Sequence, residues 1–231
     1  MPFKPLRIIP LGGVEEIGLN CTLLEYDGKI LVIDAGLMFP DDEMPGVDFV
    51  VPDFTYLIER KNDIQGVIVT HGHEDHTGGL PFLLREISED TPVYATPLTV
   101  GLIKEKLREY HLTPPLVSVS PREHINLGPF GVEFVRVTHS VVDGVGLGIE
   151  TPVGFVVHTG DFKVDPTPVD GELLDFRRFS EFGDRGTLVL LSDSTNAERG
   201  GFTFSEKEVM RAFDSIFSTA QGRIIIATFA S

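Results

Sequence analysis

The stretch THGHEDHTGG places three imidazoles and two carboxylates within six positions, His71 to His76. Side chains of these types at this spacing are donors for a metal ion. In an extended segment, side chains at i, i+2 and i+4 point to one side, so His71, His73 and Asp75 are expected together. His76 follows at once. The apolar run GLPFLLREI after it has helical spacing, which predicts His76 in the first turn of a helix. Such a strand-to-helix elbow offers two pairs of ligands to two adjacent ions. Imidazole and carboxylate suit zinc, with manganese an alternative. Two ions roughly 3.5–4 Å apart hold the attacking and leaving oxygens of a displacement at one centre. The competing reading is a histidine cluster that caps a helix. His-x-His-x-Asp-His after a buried strand is too specific a pattern for that.

Other elements must bring partners to this loop. Five apolar runs each lead to one polar group: ILVI to Asp34, VIVT to His71, FVRVT to His139, FVVHTG to Asp161 and LVLLS to Asp193. In open α/β sheets, sites collect beyond the carboxyl ends of strands. If these strands lie side by side, the five groups meet at one sheet edge.

The rest of the pattern supplies such a sheet. CTLLEYDGKILVID is two apolar runs around Asp27-Gly28, a two-residue hairpin signal. TPLTVGLIKEKLREY reads as a helix opening at Thr96-Pro97. FGVEFVRVTH alternates with period two, and GVGLGIETPVGFVVHTGD reads as a hairpin turning near Pro152-Val153-Gly154. SEKEVMRAFDSIFSTA is an amphipathic helix with Ser205 as N-cap and Glu208 three residues on. RIIIATFAS, from Arg223, reads as a buried strand. Strands with interleaved helices make the fold class α/β, with a mixed sheet or two stacked sheets.

Composition narrows the function. The 231 residues, 42% of them hydrophobic, suffice for one large domain or two small ones. The net charge of −16 argues against holding nucleic acid by overall charge, though not against a local groove. The single cysteine, Cys21, lies in an apolar run and is expected in the core rather than as a nucleophile. The opening MPFKPLRIIPLGG is no signal peptide, being short and broken by Pro10. No run approaches the roughly 18 apolar residues of a membrane helix, so the cytoplasm is the simplest placement. His158 is expected to be buried and hydrogen-bonded rather than a ligand, and His111 and His124 to be exposed. LGGVEEIGLN lacks dinucleotide-binding spacing and reads as a tight loop beside the metal edge. The acidic loop at 39–53 is either a solvated surface or a wall of the substrate cleft.

HGHEDH, with Asp34 in IDAG, His139 in VTHS and Asp161 in HTGDF, resembles the metallo-β-lactamase superfamily in residue and order. The resemblance implies a four-layer αββα sandwich of α+β type. It implies a first zinc on His71, His73 and His139, a second on Asp75 and His76, and Asp161 bridging both. Asp34 would orient a ligand histidine. The superfamily hosts several hydrolytic reactions, so the fold leaves the substrate open.

IPLGGVEEIGLN, DAGLMFPDDEMPGVDFVVPDFTYL, GDFKVDPTPVDGE and SDSTNAERGGFTFSE look like the ribonuclease J family of β-CASP nucleases, nearly end to end. Gly200-Gly201 is a minor departure from that pattern. By this resemblance residues 1–203 are the first segment of the lactamase domain, and 204–231 open an inserted β-CASP domain. A histidine completing the second metal site would lie further on, as would the groups that grip phosphate. The implied activity is zinc-dependent cleavage of RNA, internally and from the 5′ end, by a cytoplasmic homo-oligomer. Asp75 would act on the attacking oxygen and Asp193 on the leaving one; taken alone, Asp193 could equally cap the next turn. The alternatives are a dinuclear-zinc hydrolase of a small ester or lactone, and an inactive metal-binding fragment.

Overall fold

Asp27 and Gly28 close a hairpin between β2 (Cys21–Tyr26) and β3 (Lys29–Ile33), with Tyr26 opposite Lys29. Both take positive φ, 51° and 75°, as a two-residue turn matched to strand twist requires. The structure, a computed structural model, describes residues 4–227. A six-stranded sheet grows around this hairpin. Its order is β1 (Arg7–Gly12), β2, β3, β4 (Ile64–Ile68), β5 (Val93–Ala95) and β6 (Leu116–Ser118). β1 to β3 pair antiparallel, and β3 to β6 pair parallel. The parallel crossovers carry α1 (Thr55–Glu59), α2 (Glu74–Thr77), α3 (Leu80–Ile87) and α4 (Pro97–Glu109). Pro97 opens α4 directly after Thr96, as expected.

A second sheet runs β11 (Thr187–Leu191), β10 (Gly154–His158), β9 (Val145–Thr151), β8 (Phe130–Arg136) and β7 (His124–Leu127). Only β10 and β11 pair parallel in it. The hairpin between β9 and β10 turns at Pro152-Val153, with Thr151 opposite Gly154. α5 (Phe176–Asp184) precedes β11, and α6 (Glu206–Thr219) follows it. Ser205 caps α6 by accepting from the Lys207 N–H.

Period two sorts the strand residues into layers. On β3, Ile30 and Val32 pack with Leu57, Leu83, Leu84, Ile103 and Leu107 of the helices. Leu31 and Ile33 face the other way, against Phe130, Val132, Phe134, Leu147 and Ile149 of the second sheet. Beyond that sheet, Phe155 and Val157 pack on Phe182 of α5. The order is helix, sheet, sheet, helix. Burial holds the short helices: α3 has eight residues but buries Leu80, Leu83, Leu84 and Ile87, each contributing about 1.5–3 kcal/mol.

Three expectations are corrected. The five strand ends do not lie side by side in one sheet: Asp34 and His71 follow β3 and β4, while His139, Asp161 and Asp193 follow β8, β10 and β11. His76 is not in the first turn of α3. Gly78 and Gly79 separate that helix from α2, and they pass so close to the loop after β3 that a Cβ at Gly79 would meet the Gly36 carbonyl oxygen at 2.5 Å. Finally, residues 223–227 form no strand, and Ile224, Ile225 and Ile226 are 44%, 89% and 66% exposed. No described strand lies beside them to pair with, and an unpaired apolar run gains nothing from extension. The rest of that expected strand, 228–231, lies outside the described residues.

Candidate metal centre

The two stacked sheets end at a common rim. From the first, β4 runs through Val69 and Thr70 to His71, whose Nε2 lies 3.0 Å from Nδ1 of His73. From the second, β8 runs to His139, whose ring centroid is 5.0 Å from those of both His71 and His73. Donor atoms of His71, His73 and His139 lie within 4.8 Å of one another, and so do those of His71, His76 and Asp161. Asp161 reaches both groups: one carboxylate oxygen is 3.5 Å from His76 Nε2 and the other 3.8 Å from His139 Nε2. Asp75 Oδ2 is 3.6 Å from His76 Nε2. The period-two argument therefore holds for His71 and His73 but not for Asp75. Helical backbone from Glu74 turns its carboxylate toward His76 instead.

Backbone contacts hold this loop. The residues after β3 and the one before β2 clasp it: Ala35 N–H donates to the His76 carbonyl (2.9 Å), Leu37 N–H to that of Glu74 (3.1 Å) and Asn20 N–H to that of Asp75 (3.1 Å). Gly36 sits inside the clasp, where a Cβ would fall 1.6 Å from the Asp75 carbonyl oxygen. Asp34, at φ 62°, accepts from Thr70 N–H at 2.8 Å and from Thr70 Oγ1 at 2.9 Å, and lies 2.8 Å from His76 Nδ1. That contact fixes the His76 ring and turns Nε2 toward Asp75 and Asp161.

Burial pushes His71, His73 and His139 below the ordinary imidazole range, so their nitrogen lone pairs are free at neutral pH. For His76 burial acts the same way, but the carboxylates of Asp34 and Asp161 outweigh it and raise its pKa well above the ordinary value. Burial would raise Asp161; its hydrogen bond to His76 and the neighbouring histidines hold it below the usual carboxylate range, and so ionised. Neutral imidazoles interleaved with carboxylates are a donor set that fits a divalent cation of the zinc or manganese kind. Burial pushes the Cys21 thiol up, and it takes no part.

Asp193 lies beside this group. Its Oδ2 accepts from Phe162 N–H at 3.3 Å, next to Asp161, while Oδ1 accepts from Thr195 N–H at 2.8 Å and closes the following turn. His76, Asp161 and Asp193 border a cavity of about 420 Å³ that the glycine-rich loop at Gly12 and Gly13 also lines. His158, at the end of β10, also lines it and accepts at Nδ1 from Gly160 N–H at 3.0 Å. His111 and His124 are exposed and remote from the cluster. Sequence reasoning missed Thr70, Asn20 and Gly36. Asn20 Nδ2 lies 3.1 Å from His76 Nε2 and 3.3 Å from Asp75 Oδ2. Thr70, one residue before His71, could have been suspected; the other two act through contacts that only the fold reveals.

A sequence profile described as the metallo-β-lactamase superfamily matches residues 16–200. Among curated proteins, the chain is 50% identical to ribonuclease J of Synechocystis over 99% of its own length and 36% of the relative's. It is 46% identical to ribonuclease J of Thermus thermophilus over 100% of its length and 41% of the relative's. The chain thus spans well under half the length of these relatives. Among solved structures, an Enterococcus faecalis protein of unknown function superposes with a TM-score of 0.71 at 18% identity, covering 94% of this chain and 58% of that one. Zinc-bound PqqB of Methylobacterium extorquens gives 0.57 at 16% identity, over 85% and 78%. These last two likenesses concern the fold alone.

Proposed function

The chain belongs to the metallo-β-lactamase superfamily, and from that premise we propose that the complete protein is a two-metal ribonuclease. It would cut RNA phosphodiesters internally and from the 5′ end, in RNA maturation and decay. The observation that carries the substrate class is the 50% identity to ribonuclease J across 99% of this chain. In this reading His71, His73 and His139 hold one cation and Asp75 and His76 the other, with Asp161 between them. Zinc suits the donors, and manganese is the alternative. Residues 1–203 form the first segment of the lactamase domain and 204–231 the opening of a β-CASP domain. The whole protein acts in the cytoplasm as a homo-oligomer. No helix among the described residues is long and apolar enough to cross a membrane.

The bound cations supply Lewis acidity at the phosphoryl group and water of lowered pKa. The chain's own groups do the rest. Asp34 accepts a hydrogen bond from Nδ1–H of His76, which holds the tautomer whose Nε2 lone pair would bind. Asp75 orients the attacking water. Asp193, whose carboxylate accepts from the N–H of Phe162 beside Asp161, would orient a histidine from further along the complete protein, and that histidine would give its proton to the leaving oxygen.

The test uses Asp161→Asn and Asp193→Asn in the complete protein, with RNA turnover and metal content measured on both. Asp161→Asn should lose metal and turnover together. Asp193→Asn should keep its metal while turnover falls about 10²–10⁴-fold, the range of a positioned acid. An Asp193→Asn protein that cuts RNA at the wild-type rate, or that sheds metal, overturns its role. A wild-type protein that hydrolyses small esters but leaves RNA intact overturns the substrate.

A further inference from the structure

α2 has four residues, Glu74–Thr77, far below the roughly 12–15 an isolated helix needs. It nevertheless begins at His73 and carries Asp75 and His76, so something outside it must set its rotation. The clasp after β3 holds one side. The other side faces α4, where Thr99, Leu102 and Lys106 form a stripe at helical spacing. A Cβ on Gly72 would come within 2.4 Å of Leu102, so the helix lies directly against the metal loop. Lys106 Nζ donates to the Glu74 carboxylate and to Thr77 Oγ1, the latter at 3.0 Å. Thr77 Oγ1 in turn donates to the His73 carbonyl at 2.9 Å. The pair is shielded from water, with Lys106 17% and Glu74 27% exposed. Neither acid of HGHEDH joins the two groups of candidate donors, but Asp75 Oδ2 lies 3.6 Å from His76 Nε2, whereas the Glu74 carboxylate is turned to Lys106.

We propose that Lys106 is a positioning residue for the metal loop: its ammonium group grips Glu74 and Thr77, so that His73 and Asp75, on either side of Glu74, face the cations. Packing alone would require only an apolar stem at this position. The ammonium supplies what a stem cannot, one charged contact to α2 and one relay to the backbone of His73. The inference rests on His73 and Asp75 being metal ligands.

The test compares Lys106→Met, which keeps the stem and removes the charge, with Lys106→Arg, which keeps both. Glu74→Gln breaks the same pair from the other side, and His73→Ala serves as the ligand control. Zinc affinity is measured by calorimetry on the complete protein, and melting of the metal-free form is followed alongside; neither needs RNA. Lys106→Met and Glu74→Gln should bind zinc about 10–100-fold more weakly, the usual cost of losing an outer-shell partner. Lys106→Arg should stay near wild type. Wild-type affinity in Lys106→Met, with only its melting temperature lowered, reduces the residue to a structural one and overturns the proposal. Equal losses in Met and Arg variants overturn it too, because charge would then not matter. If His73→Ala leaves zinc binding unchanged, the ligand assignment falls and the proposal with it.

Discussion

Replacing Gly36 by alanine should empty the half of the site built on Asp75 and His76 while leaving a folded protein. A Cβ there would lie 1.6 Å from the Asp75 carbonyl oxygen, 2.3 Å from its carbonyl carbon and 2.9 Å from Asn20 N. All three are backbone atoms, so no rotamer change relieves the clash. Side-chain carbons essentially never come within 3.0 Å of such atoms, so the backbone at Asp75 must retreat by at least about 1.4 Å. Overpacking of this kind costs roughly 1–3 kcal/mol, which a domain survives. A metal site does not survive it, because ligand distances must hold within about 0.2 Å. A misplacement of ~1 Å costs about 10²-fold in rate. The assay is a zinc titration with elemental analysis and a thermal melt. The Gly36→Ala protein should melt cooperatively and keep the ion on His71, His73 and His139, with the other bound at least about 100-fold more weakly, the upper end for disrupted support. Two ions held as in wild type would refute the clasp argument. Gly101→Ala, on exposed α4 with nothing within 4 Å of the new Cβ, is the control. It should add about 0.4–1 kcal/mol of stability and leave zinc binding unchanged.

Asp34→Asn keeps a residue type that tolerates φ 62° but removes the charge beside His76. Zinc affinity should drop about 10–100-fold, and the His76 resonance in the metal-free protein should titrate at lower pH by NMR. The pH dependence of zinc binding should differ between the two groups of ligands. His76 holds a proton above the ordinary imidazole range, so zinc must expel it, and affinity at that end should rise with pH until the raised pKa is passed; calorimetry in buffers of different ionisation enthalpy reads the released proton. In the metal-free protein, the stabilisation from charged His76 is fully present below the unfolded pKa and is lost as pH rises through the folded one. His71, His73 and His139 act in the opposite sense: their depressed pKa values cost stability as pH falls below the unfolded value of 6.5, which melts across that window would show.

Much of this site was legible in the sequence because its donors are contiguous or end apolar runs. His71 to His76 read as a candidate cation site, and the structure brings His139, Asp161 and Asp34 to it from the strand ends. Three features misled. Helical spacing cannot see that Gly78 and Gly79 separate a short turn from α3 where Gly36 and Ala35 approach from more than forty positions earlier in the chain. Run composition cannot tell one sheet from two, since β3 and β10 are both mostly apolar runs. The hydrophobic run after Arg223 reads as a strand on propensity alone, but a strand needs a neighbour. Asn20 and Lys106 carry no local signal, because a polar residue at a loop end or on a helix is ordinary until its partner is known.

The candidate ligands, and the acid that holds His76, are divided between the two sheets, so the seam between the sheets sets the geometry of the site. Asp34, His71, His73, Asp75 and His76 come from the first sheet, and His139 and Asp161 from the second. Any slip between the sheets would separate Asp161 from His76. Thr70 opposes such a slip: its N–H and hydroxyl hold Asp34, and its carbonyl accepts from Val145 N–H of the second sheet at 3.0 Å. Gly160 completes the joint from the other side. Its φ of 59° turns the chain sharply before Asp161, and a Cβ there would meet the Val145 carbonyl at 2.7 Å and Thr70 Cβ at 3.4 Å. Only glycine meets both demands at low cost, the left-handed turn and the close approach. The glycine of HTGD therefore has a physical reason: it lets the second sheet's carboxylate cross the seam to the histidines of the first. Because Thr70 is bonded to both sheets, the orientation of His76 through Asp34 and the reach of Asp161 depend on the same contact.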